Sequence, residues 1–229
     1  MKLIYSGRDG SMSKKRLLAL HGFLGSPHDF NYLRQDFELM APDLRALVSE
    51  SIEEVGIRLL GEEKIPIIGY SFGARLAARL KLLFPDRVGP CFLFSGHMGL
   101  QYPQERLDRE SFERKIIEKL QTLSKQEFEE FWNRLELFKA DEPIKINSNP
   151  IEWVDFFKNY GLSQQPYLID DLKEYCEEII FGYGTYDSKY KDYANKELSD
   201  FKVHWFSCGH RVLFQEFEIK KLLSDQLKG

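Results

Sequence analysis

The sequence predicts an α/β fold: a mostly parallel, doubly wound sheet with helices on both faces and one helical insertion. Five short apolar runs, without polar alternation, each stop at or near a glycine. Runs of that kind are strands buried on both faces of a parallel sheet. Helical stretches alternate with them, which is the pattern of a doubly wound sheet. The chain has 229 residues, 43% hydrophobic and 14% aromatic, enough apolar material for one core of ordinary size and too much for a disordered chain.

Taken in order, Leu17-Leu18-Ala19-Leu20 is the first strand and ends at His21-Gly22. Ser26 followed by Pro27, with Asp29 in the first turn, starts a helix. Ile65-Pro66-Ile67-Ile68 is the second strand and stops at Gly69. From Phe72 to Phe84, Leu76, Ala77, Leu80 and Leu83 share one helical face, and Pro85 follows its end. Cys91-Phe92-Leu93-Phe94 is the third strand, before Ser95-Gly96. From Gln101 to about Glu177 no strand pattern recurs. Glu105 to Lys119 reads as a charged helix. Ser124 and Glu127 form a capping box ahead of Phe128, Phe131 and Trp132. Asn149-Pro150 with Glu152 starts another helix. Ile179-Ile180-Phe181 and Val203-His204-Trp205-Phe206 are the last two strands, and Ile219, Leu222, Leu223 and Leu227 outline a final helix. The expected organisation is a single domain over 1–229, with 101–177 a helical lid inserted between two strands. Such caps close over sites at the carboxyl ends of strands.

Charge and composition exclude several classes. A net charge of -4 leaves no electrostatic footprint for nucleic acid. No apolar run approaches the ~18 residues of a membrane helix. The apolar stretch within Met1–Arg8 is too short for a secretory leader. Cys91, Cys176 and Cys208 have no metal or redox spacing, and an odd count suits a reducing compartment. A cytoplasmic protein acting on a small molecule, with neither metal nor cofactor, is the expectation.

Gly69-Tyr70-Ser71-Phe72-Gly73 fits the G-x-S-x-G nucleophile elbow. A sharp strand-to-helix turn brings backbone against backbone, and glycine removes the clash. An acid and then a histidine should follow in chain order. Asp187 lies just past the fourth apolar run and His210 just past the fifth. In these roles His210 takes the Ser71 proton and Asp187 fixes its tautomer. Asp170, Asp171 and Asp192 compete for the acid's place. His204 falls inside a strand and His28 early in a helix. The backbone N–H groups of Phe23 and Phe72 are the expected oxyanion hole. His21 reads as a structural hydrogen-bonding residue.

Together these residues resemble the α/β-hydrolase superfamily and, within it, the family of 2-succinyl-6-hydroxy-2,4-cyclohexadiene-1-carboxylate synthases of menaquinone biosynthesis. The resemblance runs from about Leu17 to Phe217. It is carried by His21-Gly22-Phe23-Leu24-Gly25-Ser26, Gly69-Tyr70-Ser71-Phe72-Gly73-Ala74-Arg75, Gly96-His97-Met98-Gly99-Leu100-Gln101, Asp187-Ser188-Lys189-Tyr190 and Gly209-His210. It implies an α/β-hydrolase fold and a carbon–oxygen lyase that eliminates pyruvate from a carboxylate-rich substrate, with the triad acting as a base. It further implies that Tyr70, Arg75, Arg109 and Trp132 line the substrate site, because a guanidinium suits carboxylates bidentately. The sequence departs from the family at Pro42-Asp43-Leu44-Arg45-Ala46-Leu47, at Met98 and at Ala74. Lys158 is the nearest basic residue to the family's second lid arginine.

Two other functions compete. One is a serine carboxylesterase or thioesterase, such as a pimeloyl carrier-protein methyl ester esterase, which would use Ser71 covalently. The other is a non-catalytic ligand-binding protein on the same fold. Tyr70 and Arg75 beside the serine favour the lyase, because a simple ester needs no carboxylate clamp.

Overall fold

The first apolar run becomes the inner part of a sheet. In the computed structural model, which describes residues 14–228, β1 (Arg16–Leu20) lies between β2 (Glu38–Met40) and β3 (Ile65–Tyr70). Beyond β3 come β4 (Val88–Phe94), β5 (Ile179–Gly184) and β6 (Lys202–Phe206). The order is β2-β1-β3-β4-β5-β6, and every neighbouring pair is parallel. Successive side chains of a strand point to opposite faces. Leu18, Leu20, Ile67, Leu93 and Phe181 therefore join one core, and Leu17, Ala19, Ile68, Phe92 and Phe94 join the other. Two buried faces explain why the strands read as unbroken apolar runs.

Eight α-helices cover these faces or fill the insertion among the described residues. They are α1 (Ile52–Leu59), α2 (Phe72–Leu83), α3 (Pro103–Thr122), α4 (Lys125–Asn133), α5 (Val154–Tyr160), α6 (Ile169–Leu172), α7 (Ser188–Glu197) and α8 (Glu216–Gln226). The stretch 101–177 holds α3 to α6 and no strand. Its start signals are visible as contacts. Ser124 N donates to Glu127 Oε2 at 2.8 Å, and Glu127 N donates back to Ser124 Oγ at 3.3 Å. Asn149 accepts from Ile151 N ahead of the 3-10 turn Pro150–Trp153, which runs into α5.

Two elements differ from the sequence reading. Strand β2 adds a sixth member; it is three residues long and partly exposed at the sheet edge, too short to leave an apolar run. The helix starting at Ser26 is a 3-10 helix, Pro27–Gln35, pinned by Ser26 N and Oγ donating to Asp29. Among the described residues no helix is long and apolar enough to cross a membrane. The segment Met1–Arg8, weighed above as a leader, lies outside the described residues.

Parallel strands put all their carboxyl ends on one edge, where α/β sheets build sites. Phe23 follows β1, Ser71 follows β3, His97 follows β4, Asp187 follows β5 and His210 follows β6.

Candidate active site

Ser71 sits at the turn from β3 into α2 with φ 52° and ψ -108°, outside the usual wells for an L-residue. Such strain costs of order 1–3 kcal/mol and persists only where the surroundings over-determine it. Here they do. Ser71 N donates to Phe94 O on the neighbouring strand at 2.7 Å. A Cβ on Gly69 would lie 2.4 Å from Gly73 O, and one on Gly73 would lie 1.8 Å from Leu20 O. The two glycines let α2 press onto β3 and β1, and that pressure presents Ser71 at the sheet edge.

His210 Nδ1 and Asp187 Oδ2 are 2.7 Å apart, with both residues buried. The other Asp187 oxygen accepts from Tyr190 N at 3.2 Å, so the carboxylate also caps α7. Asp187, rather than Asp170, Asp171 or Asp192, reaches the histidine. Rings of Tyr190, Phe138 and Tyr70 surround the imidazole at centroid distances of 4.7, 5.6 and 6.0 Å. No hydrogen bond joins His210 to Ser71, so the expected reach of the histidine to both partners is met on the Asp187 side alone. Unliganded sites commonly keep that contact loose. Ser71 and His210 open onto the same cavity, of about 1190 Å³.

The amides of Phe23 and Phe72 make no hydrogen bond among the described residues, and both residues line the cavity. Phe72 is the first residue of α2, where a backbone N–H has no intrahelical acceptor. The ring of Phe23 is enclosed by Trp132, Trp153, Phe156 and Phe157 at 5.0–5.1 Å, all from the stretch between β4 and β5. His21 is fully buried. Its Nε2 accepts from Leu44 N at 3.0 Å, which leaves the proton on Nδ1 facing Gly22 O at 2.8 Å. Burial pulls its pKa down, so it is a neutral tie between the β1 loop and the Pro42–Leu47 segment.

The four residues expected to bind substrate all line the cavity. Tyr70 packs against Gly22, where a Cβ would stand 2.9 Å from its ring, and burial raises its phenol pKa. Arg75 is buried. One of its Nη groups donates to Tyr160 O at 2.9 Å and to Gln165 Oε1 at 3.2 Å, both neutral acceptors, and no carboxylate among the described residues pairs with it. Burial, followed by repulsion from Arg109, lowers its pKa to about 10. Arg109 Nε donates to Glu113 at 2.7 Å, its guanidinium lies 5.2 Å over the Phe112 ring, and its two Nη groups have no hydrogen-bond partner among the described residues. Trp132 lies between Phe23 and Phe138. Lys158 pairs with Asp155 on the surface and does not line the cavity.

Two further residues of the family-like segments, Lys189 and His97, also line the cavity. Lys189 has no anionic partner among the described residues and opens onto the cavity beside Asp187. His97 stacks on Tyr193 at 4.1 Å, and its buried Nδ1 has no hydrogen-bond partner among the described residues. Burial, then Lys189, Arg109 and Arg75, hold its pKa down to about 3, so it is neutral. Their place just past the carboxyl ends of β4 and β5 was the available signal.

No protein-family model matches the chain. A protein of Bacillus subtilis (strain 168), provisionally named 2-succinyl-6-hydroxy-2,4-cyclohexadiene-1-carboxylate synthase, is 23% identical over 215 residues, covering 80% of this chain and 77% of that one. Among solved structures, MenH from S. aureus superposes with a TM-score of 0.76 at 19% identity, over 95% of this chain and 96% of that one. A thermophilic esterase from Thermogutta terrifontis, solved with malate bound, gives 0.68 at 16% identity, over 94% and 90%. The sheet order, the serine turn and these matches lead to one conclusion: the chain has the α/β-hydrolase fold and resembles the 2-succinyl-6-hydroxy-2,4-cyclohexadiene-1-carboxylate synthase MenH.

Proposed function

We propose that the protein is a carbon–oxygen lyase that eliminates pyruvate from a cyclohexene substrate bearing several carboxylates, with Ser71, His210 and Asp187 acting together as a base under a lid formed by 101–177. The observation that carries this reading is Arg75: a buried guanidinium lining the cavity four residues from the serine, with no carboxylate paired to it among the described residues. A buried cation is costly unless an anion joins it. Lys189 brings further positive charge to the cavity, Arg109 brings a guanidinium paired with Glu113 through Nε only, and His97 adds none. A substrate with carboxylates would supply what these groups lack.

In this reading His210 Nε2 draws the proton of Ser71 Oγ as the oxygen takes a proton from substrate carbon. Asp187 keeps the opposite imidazole nitrogen protonated and steadies the imidazolium. The electrons of the broken C–H bond form a C=C bond and expel the leaving group with its C–O electrons as the enolate of pyruvate, which takes up a proton from the His210 imidazolium to give pyruvate and restore the base. The free amides of Phe23 and Phe72 stabilise negative charge on a substrate carbonyl oxygen.

A serine esterase is the second reading. It is favoured by the strained Ser71, by the paired free amides and by the esterase among the structural matches. One experiment separates the two. The purified protein is incubated with the synthase substrate and, separately, with p-nitrophenyl esters; pyruvate is assayed, and the intact protein is quenched during turnover and weighed. Pyruvate release with no adduct on Ser71 is the expected result. A substrate-derived mass on Ser71 without pyruvate leaves the esterase standing.

A further inference from the structure

The backbone of His210 is held from the helical stretch as well as from the sheet. Asp141, just beyond the 3-10 turn Glu136–Phe138, accepts two consecutive backbone N–H groups: His210 N at 2.9 Å on Oδ2 and Arg211 N at 3.0 Å on Oδ1. Gly209 makes room for it, since a Cβ there would lie 2.6 Å from Asp141 Oδ1. Arg211 reaches back the other way. It donates to Glu142 O, donates to Asn133 Oδ1 at 2.8 Å and lies over the Phe138 ring at 4.2 Å. Asn133 in turn exchanges hydrogen bonds with both backbone groups of Ile144 at 2.9 and 3.0 Å. The stretch from Asn133 to Ile144 is thus one hydrogen-bonded loop closed around His210 and Arg211.

The remaining anchors of His210 come from the sheet edge. Ser95 Oγ, just past β4, donates to His210 O at 2.8 Å, and Asp187 holds the ring. Two anchors therefore belong to the sheet and one to the stretch between β4 and β5. We infer that Asp141 is a positioning residue for His210: by gripping two successive amides from the helical stretch, it fixes where the imidazole sits relative to Ser71, so that the base is complete only with that stretch in place. This rests on the reading of His210 as the base and is independent of which substrate is turned over. A displacement of about 1 Å at such a group costs on the order of 10²-fold in rate.

The test uses Asp141→Ala and the isosteric Asp141→Asn in the full chain. Proton NMR of the free protein reports the His210 Nδ1–H that lies in the short contact to Asp187; its low-field resonance is assigned by its loss in Asp187→Asn. In folded Asp141→Ala the resonance shifts or broadens by exchange. In Asp141→Asn, which keeps one of two acceptor oxygens, it shifts less. With whichever substrate is turned over, kcat falls about 10- to 100-fold in Asp141→Ala while KM stays within about twofold. If Asp141→Ala does not fold, Asp141→Asn alone carries the comparison. An unchanged resonance and an unchanged kcat in a folded variant overturn the inference. Failure of the base reading looks different: Ser71→Ala and His210→Ala would keep their turnover.

Discussion

A guanidinium buried against Phe72 and Phe156, with only a carbonyl and an amide oxygen as acceptors, is poised to gain an anion. Losing a hydrogen bond to a charged group costs about 1.5–3 kcal/mol, or roughly 10- to 150-fold in an equilibrium. Arg75→Ala is accordingly expected to raise KM for the synthase substrate by that range, and Arg75→Lys to recover only part, because a lysine is a point charge rather than a fork. Steady-state kinetics with pyruvate detection check this, and an unchanged KM would mean that Arg75 serves only Tyr160 and Gln165. Residues of this kind were readable to different degrees. Ser71 and His210 stand out because each follows an apolar run in a glycine context. Asp187 stood among several acids, and only the docking of α7 onto the sheet edge selects it. Asp141 left no local trace: it lies 69 residues before His210, and nothing near it in the chain says that its carboxylate will meet two amides.

At the scale of elements, the elbow is a packing event between α2, β3 and β1. Alanine is the better helix former by about 1 kcal/mol, so propensity alone would welcome Gly73→Ala. The 1.8 Å approach to Leu20 O outweighs that gain. Overpacking of this kind costs typically 1–3 kcal/mol. The variant is expected to melt lower than wild type and to lose most of its turnover, since α2 must back away and carry Ser71 with it. Thermal unfolding followed by circular dichroism decides the matter; an equal Tm would show that the turn has slack. The same packing explains which elements were legible. Strands buried on both faces announce themselves as apolar runs, and the capping boxes at Ser124 and Ser26 mark two starts. Whether the turn after Ser26 winds as a 3-10 or an α-helix, and whether three edge residues pair as β2, depends on neighbours distant in sequence.

The whole molecule carries two buried imidazoles that folding keeps neutral. His97 is held to about 3, and His21 is lowered by burial as well. As pH falls through about 6.5, His97 takes up a proton in the unfolded chain but not in the folded one, and the lowered His21 acts in the same direction, so folded stability falls with falling pH. The slope is at most about 1.4 kcal/mol per pH unit for each proton. Urea midpoints between pH 7.5 and about 5, above the range where carboxylates titrate, are expected to drop steadily, and His97→Asn is expected to flatten the profile. A flat wild-type profile would mean that one or both rings accept a proton in the fold.

The sheet itself sets an order of events. Strand β3 pairs with β4 at Ile67 and Cys91, whereas β4 pairs with β5 at Cys91 and Ile179. The second closure spans roughly four times as much chain and costs about 1 kcal/mol more in chain entropy. During synthesis the strands that present the serine are complete long before the chain reaches the acid or the histidine. The C-terminal strands must wait for the whole helical stretch to emerge and then dock beside β4. The two halves of the candidate base are therefore joined by the entropically costliest pairing of the sheet, and the early part of the β-sheet signal on refolding is expected to run ahead of recovered activity.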